Sequence, residues 1–141
     1  MKNQIKYLAY YRTSTRTQDL GLLAQRSAVT AYINSNGGTL ISEDQEKETG
    51  ANKDRIRFGA DINLGTLLSR RPLLLSLIER AKKENCVIIV KEVTRLTRFS
   101  LLYEYLVATG VKFVCSDYPT DSPLMMGFRV QIGMDEALKV S

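Results

Sequence analysis

The sequence predicts an α/β domain of three layers, in which a mostly parallel central sheet of about four to five strands carries helices on both faces. Two observations lead to this fold class. Short segments rich in β-branched and aromatic residues alternate along the chain with segments whose apolar residues recur at helical spacing. In addition, residues 87–90 form a continuous apolar run, which is typical of a strand buried on both faces of a parallel sheet.

The first half of the chain supplies two predicted strands and one helix. Residues 5–12 alternate and are rich in Tyr, which indicates a strand. Apolar residues at helical spacing follow from Leu22 to Ile33, and Gly37-Gly38 ends this helix. Residues 39–43 are predicted as a short second strand. Residues 44–68 are charged and weakly periodic, so we expect a long loop with room for one short helical turn.

The second half continues the alternation. Arg71-Pro72 opens a helix, because proline is tolerated in a first turn where its missing N–H is no loss. After the strand at 87–90, a helix is predicted from about residue 100 to 109, followed by a strand at 111–115. Ser122-Pro123 then combines a capping residue with proline and starts the last helix.

Composition places limits on the class of protein. The 141 residues fit one domain, and the 44% hydrophobic and 25% charged fractions are ordinary for a globular chain. No apolar run approaches the roughly 20 residues of a membrane span, and the start lacks a signal-peptide core. We therefore expect a cytoplasmic protein that contacts no membrane. Cys86 and Cys115 lie in apolar contexts and are predicted to be reduced core thiols in neighbouring strands.

Charge and residue usage favour one kind of chemistry over others. The net charge is +5, and eleven of the twenty cations are Arg, which is suited to bidentate contact with phosphate oxygens. The chain contains no His. This excludes Ser-His-Asp and Cys-His mechanisms and argues against zinc and haem, so we expect no cofactor and no metal.

Two predicted strand ends carry unusual polar residues. The first strand runs into Ser14, which Arg12 and Arg16 flank, and the strand at 87–90 runs into a segment with Arg95 and Arg98. In an open parallel sheet, active sites collect beyond the carboxyl ends of the strands.

A serine without a histidine base best suits a reaction whose transition state is stabilised by cations, such as phosphoryl transfer. Arg71 heads the helix between the two strand ends and adds a further cation. The alternative interpretation is that these arginines solvate loops or pair with Glu46, Glu48 and Glu92.

Five segments in register resemble the serine site-specific recombinases (resolvases, invertases and transposon recombinases), and the likeness spans essentially the whole chain. They are Tyr10-Tyr11-Arg12-Thr13-Ser14-Thr15 with Gln18 and Gln25, Glu46-Lys47-Glu48-Thr49-Gly50, Arg71-Pro72-Leu73, the run from Val90 to Arg98 containing Arg95-Leu96-Thr97-Arg98, and Gly110-Val111-Lys112-Phe113-Val114 with Asp117-Tyr118-Pro119.

The resemblance implies a resolvase-like fold and a mechanism. Ser14 would attack a DNA phosphodiester to give a 5′-phosphoserine intermediate, and religation would follow without ATP or metal. The phosphate-binding arginines would be Arg12, Arg71, Arg95 and Arg98. Supporting residues would be Tyr10, Gln18, Gln25, Glu46 and Thr94. The expected partner is the DNA phosphate backbone, with no small-molecule substrate, in a nucleoid-associated protein of bacterial, phage or mobile-element origin.

Three departures from the family pattern bear on activity. Thr94 stands where the family has Asp before Arg-Leu-x-Arg. Residues 54–70 resemble an insertion, and only half of an Ala-Glu-x-Glu motif is kept near residues 133–136. The resemblance also leads us to expect a core at 1–122, a long helix truncated in 123–141 and no helix-turn-helix DNA-binding domain.

The last predicted helix is apolar on more than one face, which indicates burial on two sides. Core packing accounts for one side. The resemblance implies that a second subunit covers the other, with Phe128, Ile132 and Met134 in the interface of a homodimer that forms a tetramer in synapsis.

Other functions compete with recombination. A non-catalytic relative could keep the fold as a DNA-associated or protein-interaction module, and Thr94 favours that alternative. A metal-dependent nuclease could use Asp44, Glu46 and Glu48. Nucleotide binding is disfavoured, because neither a P-loop nor a G-x-G-x-x-G follows any predicted strand.

Overall fold

A computed structural model describes residues 4–13, 19–47, 64–97 and 100–140. For residues 19, 20, 66, 100 and 133–140 it describes the backbone alone. Its strands are β1 (Lys6–Thr13), β2 (Thr39–Lys47), β3 (Val87–Val90) and β4 (Phe113–Cys115). Its helices are α1 (Asp19–Asn36), α2 (Leu64–Ser69), α3 (Pro72–Glu84), α4 (Ser100–Ala108) and α5 (Pro123–Val140). A single 3-10 turn, Val93–Arg95, follows β3 and is called the arginine turn below.

The four strands form one sheet in the order β2-β1-β3-β4, and every pair is parallel. Successive side chains of β1 point to opposite faces. Leu8 and Tyr10 enter a core with α3, α4 and α5, whereas Tyr7, Ala9 and Tyr11 enter a second core with α1. The predicted three-layer α/β class, with a parallel sheet covered on both faces, is therefore confirmed.

The prediction of a loop after residue 43 is wrong, because β2 continues to Lys47. Only residues 7–9 of β1 pair with β3, but β2 pairs with β1 up to Thr13↔Lys47, with one shift of register between Tyr7 and Leu8. The charged residues of β2 tolerate this because their side chains bond to β1, as Glu43 and Glu46 do with Tyr11 and Tyr10.

The segment predicted as a loop with room for one short helical turn contains the six-residue helix α2. Leu67 is 3% exposed and belongs to the core of α3, α4 and α5. Packing of Leu67, Leu64 and Leu68 against this core therefore accounts for a helix that local periodicity was too short to reveal.

The predicted helix starts at Pro72 and Ser122-Pro123 are confirmed. Pro72 is the first residue of α3, and the Ser122 hydroxyl accepts a hydrogen bond from the backbone N–H of Met125 at 3.2 Å. Gly38 begins the turn into β2 at φ +122°, and a Cβ there would lie 2.5 Å from the Tyr7 ring. Only glycine fits that position without a shift of the ring.

Both cysteines are buried and free. Cys115 pairs with Val90 across β3 and β4, and Cys86 directly precedes β3. Burial raises the pKa of the Cys115 thiol to about 12, so it stays protonated and unreactive. In the described part of the chain, no helix is long and apolar enough to cross a membrane.

Candidate active site

The sheet has one topological switch point, between β1 and β3. From β1 the chain adds β2 on one side and β3 on the other, and in open parallel sheets ligands bind outside the carboxyl ends of the strands at such a point. Arg12 lies at the end of β1, and the arginine turn directly follows β3. The fold therefore brings two of the sequence-predicted arginine segments to one edge of the sheet.

Arg12 connects these two strand ends. Its Nη2 donates a hydrogen bond to the backbone carbonyl of Thr94 at 2.5 Å, and its Nε donates to the carbonyl of Arg95 at 3.1 Å. The residue is only 8% exposed. Arg12 thus holds the arginine turn against β1 through main-chain atoms, a contact that sequence reasoning did not find.

Gln25 holds the end of β1 from the α1 side. Its Oε1 accepts from the N–H of Arg12, and its Nε2 donates to the carbonyl of the same residue, both at 3.1 Å. Next to it, the hydroxyl of Thr13 accepts a bond from Gln45 Nε2 at 3.1 Å, and Thr13 is 6% exposed. The backbone that leads into residue 14 is therefore held on two sides.

Arg71 lies at the start of α3, beside Tyr10 and Glu46. Glu46 Oε1 accepts from the Tyr10 hydroxyl at 2.6 Å, and Glu46 Oε2 accepts from the N–H of Leu73 at 2.8 Å. Arg71 is 8% exposed. Burial raises the pKa of Tyr10, and the positive charge of Arg71 opposes that rise. Tyr10 therefore remains a neutral hydrogen-bond donor, and Arg71 lies close to it.

Arg95 is held less tightly. Its side chain is 33% exposed, and Glu92 Oε1 lies 3.9 Å from Nε, which is beyond hydrogen-bond distance. Within the part of the chain that the structure describes, the buried Nε donates no hydrogen bond. The main chain of Arg95 is anchored by Arg12, whereas its guanidinium, among the described residues, forms a loose ion pair with Glu92.

The structure thus brings Arg12 together with Thr94 and Arg95, Arg12 with Gln25, and Arg71 with Tyr10 and Glu46. Four predicted residues, Ser14, Gln18, Glu48 and Arg98, lie outside the described residues, and Met134 lies in α5 with its side chain not described. Glu46 occupies a strand and bonds to Tyr10 and α3, in contrast to the surface loop expected for it. Among the described residues, no cluster of three His, Cys, Asp or Glu could hold a metal ion.

Three residues hold the start of α5 beside this site in a way that the sequence did not predict. Arg129 Nε donates to Asp121 Oδ2 at 2.6 Å, and the Arg129 guanidinium lies 3.5 Å from the centre of the Tyr118 ring. The core-facing side of the helix carries Met126 and Val130, which join the arginine turn in the same core. The ion pair of Asp121 with Arg129 left one sign in the sequence, which is their spacing of eight residues at the start of the helix.

The other side of α5 is apolar and exposed. Leu124, Phe128 and Ile132 recur every four residues and are 69%, 55% and 58% exposed. Met126 and Val130, on the opposite side, are 7% and 0% exposed. Two of the three residues predicted for a dimer interface, Phe128 and Ile132, therefore lie on an exposed face.

Comparison with known proteins gives a consistent picture. Residues 7–64 match the family model described as Resolvase, N terminal domain. Among curated proteins, no sequence matches the chain significantly.

Three solved structures resemble the chain over nearly its whole length. The N-terminal catalytic domain of TP901-1 integrase is 17% identical with a TM-score of 0.55, covering 96% of this chain and 95% of that one. A resolvase family site-specific recombinase from Streptococcus pneumoniae is 19% identical with a TM-score of 0.56, covering 97% and 92%. The C-terminal catalytic domain of ISC1926 TnpA, an IS607-like serine recombinase, is 19% identical with a TM-score of 0.55, covering 96% and 80%. All three share the fold described above.

Proposed function

We propose that the chain, whose residues 7–64 match the family model Resolvase, N terminal domain, is a serine recombinase that cleaves and rejoins DNA through a covalent link to Ser14. The observation that carries this proposal is the contact of Arg12 with the arginine turn. It gathers cations at the strand end that leads directly into Ser14. Phosphoryl transfer is catalysed mainly by positioning and by charge stabilisation, which arginines at such an edge can supply.

In the proposed reaction, Ser14 Oγ forms a bond to a backbone phosphorus as the bond from phosphorus to the 3′ oxygen breaks. The serine loses its proton, and the leaving 3′ oxygen gains one. Attack by a 3′ hydroxyl on the phosphoserine reverses these changes and rejoins a strand. The number of phosphodiester-type bonds is conserved, so the exchange needs no external energy source.

We assign the arginines different parts in this reaction. Arg71, Arg95 and Arg98 would bind the non-bridging phosphate oxygens. Arg12 would join them in binding the phosphate, in addition to holding the arginine turn through its bonds to two backbone carbonyls. Tyr10, Gln18, Gln25, Glu46 and Thr94 would support these groups.

The hydroxyls beside Ser14 are poorer candidates for the nucleophile. The Thr13 hydroxyl is buried and bonded to Gln45. Thr15 follows Ser14, and adjacent side chains of an extended segment point in different directions.

The covalent link is tested with a nicked suicide duplex, on which cleavage releases a short fragment and traps the protein on DNA. The chain is fused to a DNA-binding domain, and products are resolved on a denaturing gel with peptide mapping of the adduct. Ser14→Ala should abolish the adduct and leave the unfolding temperature unchanged, while Thr15→Ala serves as the matched control. An adduct that survives Ser14→Ala, or that maps to a tyrosine, contradicts the mechanism. No adduct from the unsubstituted chain would favour a non-catalytic relative.

We further propose that a second copy of the chain covers the exposed face of α5. A contiguous apolar stripe on a helix otherwise folded onto the core marks an interaction surface. Phe128→Glu should shift the chain toward monomer in sedimentation equilibrium, because a buried unpaired carboxylate is unfavourable. Leu23→Glu, on the exposed side of α1, is the control and should change nothing. Sedimentation of the unsubstituted chain as monomer at all concentrations would overturn this assignment.

A further inference from the structure

We infer that Glu46 is a positioning residue for Arg71, because it holds the start of α3 against the end of β1. The inference rests on the proposed role of Arg71 in binding a phosphate. Glu46 itself touches no reacting atom in this assignment. Its effect passes through the backbone of α3 and through Tyr10.

The start of α3 has no capping side chain next to it in the sequence. The first N–H groups of a helix have no partner within the helix, and a side chain at the N-cap position usually satisfies one of them. Here the N-cap is Arg71, which makes no side-chain cap bond, and Pro72 has no N–H to offer. The donors that remain are the N–H groups of Leu73 and Leu74.

Glu46 supplies the missing cap from another strand. Its Oε2 accepts from Leu73 N at 2.8 Å and its Oε1 accepts from Leu74 N at 3.3 Å. A carboxylate is also favoured there because the amino end of a helix carries partial positive charge. The start of α3 is therefore held in place by a residue 27 positions earlier in the chain.

The same carboxylate joins α3 to β1. Glu46 Oε1 also accepts from the Tyr10 hydroxyl at 2.6 Å, and Glu46 and Tyr10 are 7% and 0% exposed. Three donors thus converge on one buried carboxylate, which connects β1, β2 and α3. Because the pKa of Tyr10 is raised, this donor is not lost at working pH.

Arg71 lies within this arrangement and is held from its other side as well. Its N–H donates to the carbonyl of Leu68 at 2.9 Å, and its own carbonyl accepts from Leu75 N at 3.1 Å. The backbone of Arg71 is therefore bounded by α2 on one side and by the Glu46-bound turn on the other. Loss of the Glu46 contacts would leave the backbone of Arg71 held on the α2 side alone.

Both oxygens of the Glu46 carboxylate act as hydrogen-bond acceptors. A Gln side chain has nearly the same shape as Glu but only one acceptor oxygen. In Glu46→Gln one oxygen becomes an NH2 group, which can donate to the Tyr10 hydroxyl but cannot accept from the N–H of Leu73 or Leu74, so at least one bond that caps α3 is lost. Glu46→Asp keeps both acceptors on a shorter stem. The chain also offers a matched control in Glu43, which lies on the same strand and accepts from the Tyr11 hydroxyl at 2.9 Å on the α1 side of the sheet.

The test uses the suicide-substrate assay and the unfolding temperature of each variant. Glu46→Gln should slow adduct formation by about tenfold to a hundredfold, since small misplacement of a catalytic group has effects of that size. Glu46→Asp should recover much of the rate, and Glu43→Gln should remain within about twofold. In an Arg71→Ala background, Glu46→Gln should cause little further loss of rate, because residues that act through one another are not additive.

Two outcomes in the cleavage assay overturn the inference. One is an unchanged rate in Glu46→Gln. The other is the same fold loss with and without Arg71, which would show that Glu46 supports the fold alone. If Glu46→Gln does not fold, Tyr10→Phe is measured in its place, because it removes only one of the three bonds. We expect it to lower the rate of adduct formation by a smaller factor, and to have little effect in the Arg71→Ala background.

An NMR measurement on the full chain without DNA separates this inference from the proposed function. Nuclear Overhauser contacts between the Arg71 side chain and the Tyr10 ring should weaken in Glu46→Gln and persist in Glu43→Gln. Unchanged contacts in Glu46→Gln would overturn the positioning role. If the unsubstituted chain forms no adduct, the proposed function fails, and these contacts still decide whether Glu46 positions Arg71.

Discussion

The start of α3 and the arginine turn present arginines at the same edge of the sheet, but the two segments are held in different ways. A buried carboxylate anchors the start of α3, where Arg71 is 8% exposed. The arginine turn is anchored through the carbonyls of Thr94 and Arg95. The guanidinium of Arg95 is itself partly exposed, with its nearest carboxylate oxygen at 3.9 Å.

The two segments are preorganised to different degrees. A catalytic cation that is held before substrate arrives needs no reorganisation in the transition state. In the proposed reaction the backbones of both arginines would meet that condition, but Arg71 is 8% exposed, whereas the Arg95 side chain is 33% exposed. We therefore expect the two arginines to differ in how strongly their geometry, as distinct from their charge, matters to cleavage.

The largest expected effect comes from replacing each arginine by lysine. Lys keeps the charge but loses the planar fork that binds two oxygens. Arg71→Lys should slow adduct formation by roughly a hundredfold, equivalent to about 3 kcal/mol. Arg95→Lys should have a smaller effect, about tenfold, because its guanidinium is held less firmly.

Single-turnover rates on the suicide duplex measure this difference, with Arg26→Lys as the control. Arg26 forms an exposed ion pair with Glu43 on the α1 side of the sheet, so its rate should not change. An equal fall in the rate of adduct formation for Arg71→Lys and Arg95→Lys would contradict the expected difference between the two arginines.

A smaller effect is expected from Thr94→Asp. A carboxylate beside Arg95 could form a charge-assisted hydrogen bond, worth about 1.5–3 kcal/mol where water is excluded. Because the Arg95 side chain is about one-third exposed, water reduces that value, so we expect a gain in cleavage of only several-fold. The contact of Arg12 with the Thr94 carbonyl involves the backbone and should survive the substitution.

Thr94→Asn is the isosteric control, which has the same shape without the charge. An increase in cleavage with Asn equal to that with Asp would show that charge is not the cause. Unchanged or lower cleavage with Asp would mean that Glu92 already supplies what the carboxylate would add.

Sequence reasoning was most successful where the signal is local. The order of elements and the helix starts at Pro72 and Ser122 follow from periodicity and from capping residues, and the structure confirms them. The length of β2 could not be predicted, because bonds to the side chains of β1, such as Tyr10 to Glu46, stabilise it across 36 residues. Such pairs leave no pattern within a short window.

The site shows the same limit. The partners of Arg12 are backbone carbonyls, which every residue possesses, so no residue type could have indicated them. The cap of α3 did leave a trace, since Arg71-Pro72 starts a helix without any local capping side chain. A helix start of this kind implies an acceptor from elsewhere in the chain, and Glu46 is that acceptor.

The amide of Gln25 has a consequence for how the sheet ends. Within the described residues, β1 pairs with β3 no further than Ala9, and main-chain groups left without a strand partner can recruit a strand from another molecule. Gln25 occupies both the N–H and the carbonyl of Arg12, much as a passing strand would. One buried side chain therefore satisfies both main-chain groups of Arg12 and leaves neither available to a strand of another molecule, at the point where the backbone leads into Ser14.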